Sequence, residues 1–149
     1  MKSEEVVLVL PLLADFEIPA VDALDHLFER HQGQVEKRAA AQARFALVEA
    51  CLNAIEYGKP TVEPASPLAS GDAAMEVRLS FDAGEVSMSV TNPGLPFQPG
   101  KMKSRSRRGR GHGLKIIRSM MDSVSYDHDG NGTRVVMKKR VHGQASTDR

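Results

Sequence analysis

The stretch FALVEACLNAIEYG (residues 45–58) decides how this chain folds and what it can bind. It closes a longer run, residues 36–57, that is rich in alanine and straight-chain side chains and contains no glycine or proline. Such a composition predicts one long helix, which Gly58 ends. Because side chains four residues apart share a helix face, Glu49 and Asn53 lie one turn apart on the same side. A carboxylate can accept a proton from a nucleophile, and an amide oxygen can bind a hard cation. Alone, the pair is more typical of a solvated polar stripe on a helix than of a site.

The sequence around this helix predicts further helices and strands in an α+β order. The predicted elements are a strand at Val6–Leu10, helices at Ile18–Arg30 and Leu114–Met121, a hairpin of Met75–Phe81 with Val86–Val90, and strands at Val124–Tyr126 and Arg134–Lys139. Residues 59–72, which carry three prolines, and residues 92–110 are predicted to be loops. A loop as long as the second one is usually functional or mobile.

The composition is that of an ordinary globular domain, with 149 residues, 41% of them apolar, and a formal net charge of +1. This charge gives no reason to expect nucleic acid or a membrane surface as a partner. The single cysteine, Cys51, cannot form an internal disulfide, which fits a reducing compartment. The longest apolar run, Val6–Leu13, is too short to span a bilayer. We therefore expect a cytoplasmic protein with one domain over residues 1–141 and a polar tail over residues 142–149.

Three glycine-containing motifs follow the long helix. NPGLPF (residues 92–97) comes directly after a predicted strand, and its glycine permits a close backbone approach. GRGHGL (residues 109–114) places alternating glycines before a helix, and the N–H groups of such a helix start can bind phosphate. It is neither a Walker A motif, which needs Gly-Lys-Ser/Thr, nor a Rossmann fingerprint, which needs a preceding strand. Gly132-Thr133 is a weaker third signal. Alone, NPGLPF is more typical of a turn after a strand, GRGHGL is as typical of a flexible hinge as of a ligand site, and Gly132-Thr133 carries very little information.

Together and in this order, the motifs resemble those of the GHKL (Bergerat-fold) ATPases. Within that superfamily, the segments FALVEACLNA (residues 45–54) and GLKIIRSMMDSV (residues 113–124) are similar to the anti-sigma-factor serine kinases, the RsbW-like group. The resemblance covers roughly Val6–Val141. It is carried by Glu49 and Asn53 for the N box, Asn92 and Gly94 for the first glycine box, Gly109, Gly111 and Gly113 for the second, and Gly132-Thr133 for the third.

The resemblance implies a two-layer α/β sandwich of the histidine-kinase-ATPase type, with helices on one face of a mixed, mostly antiparallel sheet. It implies ATP and Mg²⁺ as ligands, with Asn53 holding the metal and Glu49 as the general base. Gly94 and Thr133 would lie near adenine, and the glycines before the last helix would cradle the phosphates. The full set of implied nucleotide-binding residues is Asn53, Asn92, Gly94, Arg108, Gly109, Arg110, Gly111, His112, Gly113, Leu114 and Thr133.

Asn92 departs from the family pattern, in which an aspartate accepts a hydrogen bond from the adenine amino group. An amide oxygen can accept the same bond, but it carries no charge, and charge-assisted hydrogen bonds are about twice as strong. A second acid that often follows Pro-Phe in the group is replaced by Gln98. The sequence therefore leaves the affinity and specificity for adenine open.

By the same resemblance, the segment Gly100–Arg110 would form a lid over the nucleotide. Six of its residues are basic and none is acidic: Lys101, Lys103, Arg105, Arg107, Arg108 and Arg110. Such a cluster suits a triphosphate. It also raises the alternative of a nucleic-acid-binding regulator, which the absence of interleaved aromatic residues in the sequence disfavours.

By resemblance, we expect an ATP-dependent protein serine/threonine kinase of a bacterial partner-switching system that regulates transcription. It would phosphorylate an anti-sigma-factor antagonist, sequester that antagonist or a sigma factor, and form a homodimer. The alternative is a protein-binding switch module of the same shape with weak or no ATP binding and no phosphate transfer. Asn92 favours the alternative, and the presence of both Glu49 and Asn53 favours the kinase.

Overall fold

Five strands and three α-helices make up the part of the chain that the computed structural model describes, which is residues 3–57, 73–93, 113–129 and 132–142. In chain order the elements are β1 (Glu4–Pro11), α1 (Glu17–Arg30), a 3-10 turn (Gln32–Gln34), α2 (Lys37–Tyr57), β2 (Ala74–Asp82), β3 (Glu85–Asn92), α3 (Gly113–Met120), β4 (Ser123–Asp129) and β5 (Gly132–Arg140). The predicted loop at residues 59–72 lies wholly outside the described residues, as does the predicted tail beyond residue 142.

The strands form one sheet in the order β1-β2-β3-β5-β4, and every neighbouring pair is antiparallel. The predicted α+β class is confirmed, but the described sheet is antiparallel throughout rather than mixed. The reason lies in the connections. A tight hairpin joins β2 to β3, and the two helices between β1 and β2 return the chain to the end of the sheet where β1 stopped, with Pro11 paired to Ala74.

Apolar and polar side chains alternate along the strands, so the helices cover one face of the sheet and leave the other face polar. Ser87, Arg134 and Lys138 lie on the uncovered face. The buried face and the helices share one core, whose largest fully buried side chains include Leu24, Leu27, Leu47, Met75, Leu79, Phe81, Met88, Ile117 and Met137. The amphipathic helices predicted from the sequence therefore meet the sheet as expected.

The β2–β3 hairpin turns through only two residues, Ala83 and Gly84, between the paired residues Asp82 and Glu85. Both turn residues have positive φ, 52° and 82°. Two successive positive φ values are the signature of the type I′ turn, whose twist matches that of the flanking strands. The hairpin predicted from Asp82-Ala83-Gly84 is confirmed.

The course of α2 determines where its polar pair lies. The backbone N–H of Glu36, just before α2, donates a hydrogen bond to the carbonyl of Val141, just after β5 (2.7 Å). The helix then crosses β3 and β5, with α1 on one side and α3 on the other. Asn53 lies about 24 Å along the helix axis from Lys37, and Thr133 lies about 23 Å along β5 from Arg140. The C-terminal half of α2 therefore lies over the end of the sheet where β5 begins, hereafter the Thr133 end.

Glu4, the first residue of β1, contacts the C-terminal end of α1. Its carboxylate lies 3.0 Å from Nε2 of His31 and also pairs with Arg30. The His31 ring stacks on Phe81 with 4.3 Å between ring centroids. The hydrogen bond with His31, followed by the contacts with Arg30, holds the pKa of Glu4 below its ordinary value of 4.5.

Replacing Glu4 with glutamine is expected to make stability less sensitive to acid. Because the folded-state pKa of Glu4 is lowered, its contacts stabilise the native state above the unfolded pKa, and this contribution is lost as the pH falls through the folded pKa. Urea unfolding of both proteins between about pH 7 and pH 3 measures the effect. We expect the unfolding midpoint of wild type to fall more steeply than that of Glu4→Gln below about pH 4.5. Parallel curves would show that the pairing contributes nothing.

No helix in the described part of the chain is both long enough and apolar enough to cross a membrane.

Candidate functional site

Glu49 and Asn53 are both buried on α2, with 5% and 6% of their surfaces exposed. The predicted helix therefore does place them together, but not on a solvated stripe. Charged and amide side chains are rarely buried this far unless a partner compensates the loss of water. Their burial in the flank of α2 favours a site over a surface pattern.

The amide of Asn53 is the clearest indication of a ligand site. Among the described residues, neither its Oδ1 nor its Nδ2 finds a hydrogen-bond partner, and both atoms are buried. An unsatisfied buried polar group destabilises a protein by about 1–3 kcal/mol, so such groups call for an explanation. A neutral amide oxygen is an acceptable ligand for Mg²⁺. The residue at this position therefore fits the metal that the sequence implies for it.

A row of three polar residues crosses the sheet at the Thr133 end. Asn92 pairs with Thr133, and Thr133 pairs with His128 on the outer strand. By strand alternation all three share the face that carries the core residues Val90 and Val135. Asn92 was predicted to begin a loop, but it is the last residue of β3 because pairing with β5 extends the strand. Thr133 is buried, with 4% of its surface exposed.

His128 is the member of this row that sequence reasoning did not single out. Its Nδ1 lies 3.1 Å from the carbonyl oxygen of Gly132. A carbonyl oxygen only accepts, so Nδ1 of His128 carries a proton and donates this hydrogen bond. No motif marks a histidine two residues beyond a predicted strand end. The longer β4 found here, together with the pairing to Thr133, is the signal that identifies it.

Gly132 is what lets β5 start so close to β3. A Cβ atom there would lie 2.1 Å from the carbonyl oxygen of Asn92 and 3.1 Å from the Cα atom of Pro93. Its φ is +156°. Both contacts are to backbone, so no side-chain rotation would relieve them. Gly132 therefore has a steric reason to be glycine: only a residue without a Cβ atom can lie this close to the main chain of Asn92.

Two depressions open at the Thr133 end. One has a volume of about 460 Å³ and is lined by Glu76, Thr91, Asp127, His128, Gly132, Thr133 and Arg134. The other has a volume of about 300 Å³ and includes Met75, Thr91, Asn92 and Pro93. Both are large enough for part of a small ligand. They also reach residues of the uncovered sheet face, so their volumes do not outline a single closed cavity.

The start of α3 faces the same end. The helix begins at Gly113, and Leu114 is buried. It ends just before β4, whose first residue pairs with Lys138, and Lys138 is far along β5 from Thr133. The helix therefore runs away from the Thr133 end. The free backbone N–H groups of its first turn are therefore directed towards the Thr133 end, as anion binding requires. The remaining predicted site residues, Gly94, Arg108, Gly109, Arg110, Gly111 and His112, lie outside the described residues.

Cys51 lies between the two polar residues in sequence but faces the core. It is fully buried, and this burial, followed by the negative charge of Glu17, raises the pKa of its thiol to about 12. At neutral pH the group is therefore protonated, and Cys51 packs in the core rather than acting as a nucleophile.

The fold is similar to those of solved structures of other proteins. The RsbU and RsbW domains of Rv1364c from Mycobacterium tuberculosis align with a TM-score of 0.66 at 16% identity, over 93% of this chain and 32% of that one. This chain thus spans about a third of that protein's length. SiaB, in the SiaB–SiaC complex from Pseudomonas aeruginosa, aligns with a TM-score of 0.56 at 13% identity, over 90% of this chain and 87% of that chain. At these identities the likeness shows the fold alone.

No protein of curated function matches the sequence. The family of the histidine kinase-like ATPase domain matches residues 16–139. This segment contains α2 with its polar pair, the Asn92–Thr133–His128 row and the start of α3. Because the match covers most of the sequence, the chain belongs to the histidine kinase-like ATPase domain family.

Proposed function

We propose that this chain binds Mg²⁺-ATP and transfers the γ-phosphate to a serine of a protein partner, as a cytoplasmic switch in a partner-switching system. The observation that carries the proposal is the pair on α2: a buried carboxylate one turn from a buried amide that has no partner among the described residues. The amide explains where a metal-bound triphosphate would be held. The carboxylate explains how a hydroxyl would be activated beside it.

Asn53 would hold the metal through Oδ1. When bound, Mg²⁺ neutralises the charge of the triphosphate and fixes its oxygens. Asn53 is held by the rigid body of α2, between Ala50 and Ala54, which are buried in the core. A ligand placed on such an element keeps its position without rearrangement, which is what phosphoryl transfer mainly requires.

Glu49 would act on the protein substrate. As the serine oxygen forms its bond to the γ-phosphorus, the bond from phosphorus to the departing ADP oxygen breaks, and the serine proton passes to a carboxylate oxygen of Glu49. Four residues, about 6 Å along the helix axis, separate Glu49 from Asn53. This spacing is suited to a base that lies beside the phosphate without competing with it for the metal.

The Thr133 end would receive the rest of the nucleotide. Asn92 and Thr133 would contact the base, while Gly109, Gly111 and Gly113 with the start of α3 would cradle the phosphates. Arg108 and Arg110 would add positive charge from the lid. The residues of the lid lie outside the described part of the chain, so their roles rest on the sequence resemblance. We treat residues 1–141 as one functional domain followed by a short tail.

The partner would be an anti-sigma-factor antagonist that carries the serine, with a sigma factor as the second target and a second copy of the chain as the dimer partner. Two similarities support this choice: one related structure contains an RsbW domain together with an RsbU domain, and the other is a complex of SiaB with SiaC. Neither is similar enough to carry the identity of a partner to this chain.

A second candidate function is favoured by Asn92. Without the negative charge of an aspartate, the base end of the site loses a charge-assisted bond, and a chain of this fold can act as a protein-binding module alone. Phosphate transfer distinguishes the two functions most directly, because only the kinase needs the proton acceptor Glu49.

Replacing Glu49 with glutamine tests the kinase directly. The amide keeps the size of the side chain but cannot take the serine proton, so we expect transfer of labelled γ-phosphate to an antagonist-type partner to fall by about 10²–10⁴-fold. Nucleotide binding, measured by the ligand-induced rise in unfolding temperature, should stay within about threefold of wild type. Glu56→Gln, two turns further along α2 at an exposed position, serves as the matched control. If wild type binds Mg²⁺-ATP but labels no serine partner, the binding module is the correct function.

A further inference from the structure

The uncovered face of the sheet has a depression at its centre with a floor of small hydroxyl side chains. Ser80 on β2 and Ser87 and Ser89 on β3 belong to its lining, and its volume is about 280 Å³. Ser89 is only 8% exposed, although by alternation it points away from the core. Residues this small leave room above the middle of the sheet for longer side chains of a molecule that packs against it.

Charge on this face is divided between the two sides of β3. β1 and β2 carry the acids Glu5, Glu76 and Asp82, and β5 carries the bases Arg134, Lys138 and Arg140. The base Arg78 also lies on β2, but its guanidinium is 3.0 Å from Glu76 and 3.5 Å from Glu5. The acid Asp127 on β4 is likewise 3.7 Å from Arg134. The β1–β2 side therefore keeps an excess of acids, and β5 keeps an excess of bases.

Two rows of cross-strand neighbours connect these two sides. In register order, the first row is Val7, Arg78, Ser89 and Val136, and the second is Glu5, Ser80, Ser87 and Lys138. The first row therefore has a valine at each end, and the second has an acid at one end and a base at the other. Val7 is 45% exposed, so water reaches an apolar side chain there. The row ends offer one apolar and one charged contact to a surface that packs on this face.

A face with these row ends is complementary to a second copy of itself. Two sheets that pack face to face keep their strands nearly aligned, and a two-fold axis makes every contact occur twice. An axis that runs along the strands between β2 and β3 places β1 of one copy opposite β5 of the other. Residues of the same row then face each other, so Glu5 meets Lys138 of the second copy and Val7 meets Val136.

The middle of such a pair sets long side chains opposite small ones, because β2 of one copy lies opposite β3 of the other. Arg78 would lie over Ser89 of the second copy, in the depression at the centre of the face. Like charges meet at the margin, where Asp82 would face Glu85. Arg140, the cross-strand neighbour of Glu85, offsets that repulsion.

The area of overlap is sufficient for a specific but reversible dimer. Four strands about 4.8 Å apart and about eight residues long cover roughly 19 by 26 Å, which is about 500 Å² in projection from each copy. This area is at the lower end of the range for specific interfaces. Because many of the contacts are polar, we expect a Kd in the micromolar range, about 1–100 µM.

We propose that two copies of this chain bind each other face to face through the uncovered faces of their sheets. β1 of each copy lies over β5 of the other, and the contacts of Glu5 with Lys138 and of Val7 with Val136 fix the arrangement. The proposal adds to the proposed function the surface through which a second copy binds. It stands on the charges and rows of this face and requires no nucleotide.

Sedimentation velocity of the full chain at about 1–500 µM measures the dimer. Glu5→Lys and Lys138→Glu each set like charges opposite each other, so we expect each change to weaken the dimer by about 10- to 100-fold. A chain that carries both changes restores opposite charges in both contacts, and its Kd should return to within about fivefold of wild type. Glu29→Lys, the same change in charge at an exposed position of α1, is the matched control and should leave the Kd unchanged.

Rescue by the double change is the decisive result, because a variant that had lost its fold would not recover. A dimer that each single change weakens and the double change restores supports the inference. A wild type that stays monomeric throughout, or a dimer that neither change weakens, overturns it. Loss of the dimer in Phe45→Ser alone, at an exposed apolar residue of α2, would place the interface on the helices instead. Phosphate transfer, tested with Glu49→Gln, is measured separately, so the kinase stands or fails independently.

Discussion

Replacing Asn53 with alanine is expected to abolish the stabilisation of the protein by Mg²⁺-ATP while leaving the nucleotide-free protein about as stable as before. In wild type, ATP at about 100 times its Kd should stabilise the fold by roughly 2.7 kcal/mol. For a chain of this size that is a rise of about 5–10 °C in unfolding temperature. Without the Oδ1 ligand, the magnesium-dependent part of this rise should disappear.

The unusual half of this prediction concerns the protein without nucleotide. Most buried polar-to-alanine changes destabilise a fold, because they remove hydrogen bonds or leave a cavity. The Asn53 amide makes no hydrogen bond with any described residue, so its removal also relieves the burial of two unsatisfied atoms. These effects oppose each other, and we expect a net change within about 1 kcal/mol.

Thermal unfolding with and without Mg²⁺-ATP, together with urea unfolding of the nucleotide-free proteins, measures both halves. Gln42→Ala removes an amide from the same helix about three turns earlier and should keep the full nucleotide effect. If Asn53→Ala keeps the magnesium-dependent rise, Asn53 is not a metal ligand. If it strongly destabilises the nucleotide-free protein, the amide has a structural partner instead.

Replacing Gly132 with alanine is expected to damage stability and nucleotide binding together. The added Cβ would lie 2.1 Å from the carbonyl oxygen of Asn92, which is closer than any real contact, and φ at this position is +156°. Because the obstacle is backbone, the first residues of β5 must move away from β3. Strain and overpacking together should destabilise the fold by about 2–4 kcal/mol.

The control for this change is Gly33→Ala, in the 3-10 turn before α2. Nothing lies within 4 Å of the Cβ that alanine would add there. We expect its stability to stay within about 0.5 kcal/mol of wild type. Urea unfolding and nucleotide titration of both variants provide the comparison. A Gly132→Ala protein with wild-type stability and affinity would show that the close approach of β5 to Asn92 has no functional importance.

Long-range pairing is what separates the predictable part of this fold from the rest. The helix over residues 36–57 was predicted almost to the residue because its composition and its closing glycine are local signals. The strand at Val124–Tyr126 was predicted too short: Asp127, His128 and Asp129 have low strand propensity and become part of β4 only because β5 pairs with them. The pairing of β3 with the other edge of β5 likewise makes Asn92, a predicted loop residue, the end of β3.

The candidate site also has a part that the sequence predicts and a part that depends on long-range contacts. The spacing of Glu49 and Asn53 was evident from the sequence, because a helix period relates them. That both are buried was not, since a polar pair on a helix is usually solvated. Which strands become neighbours decides that Asn92 pairs with Thr133 and that His128 lies beside them. No local pattern contains that information.

Because the one cysteine is buried, its rate of chemical labelling can report how often α2 separates from the core. Cys51 sits on α2 between Glu49 and Asn53, is fully buried, and has a thiol pKa raised to about 12, so an alkylating reagent can reach it only when the helix separates from the core. Its labelling rate therefore measures how often that separation occurs. A nucleotide that bridges α2 to the Thr133 end would slow this labelling. The coupling between ligand and fold can thus be followed in the unmodified chain, with no probe introduced near the site.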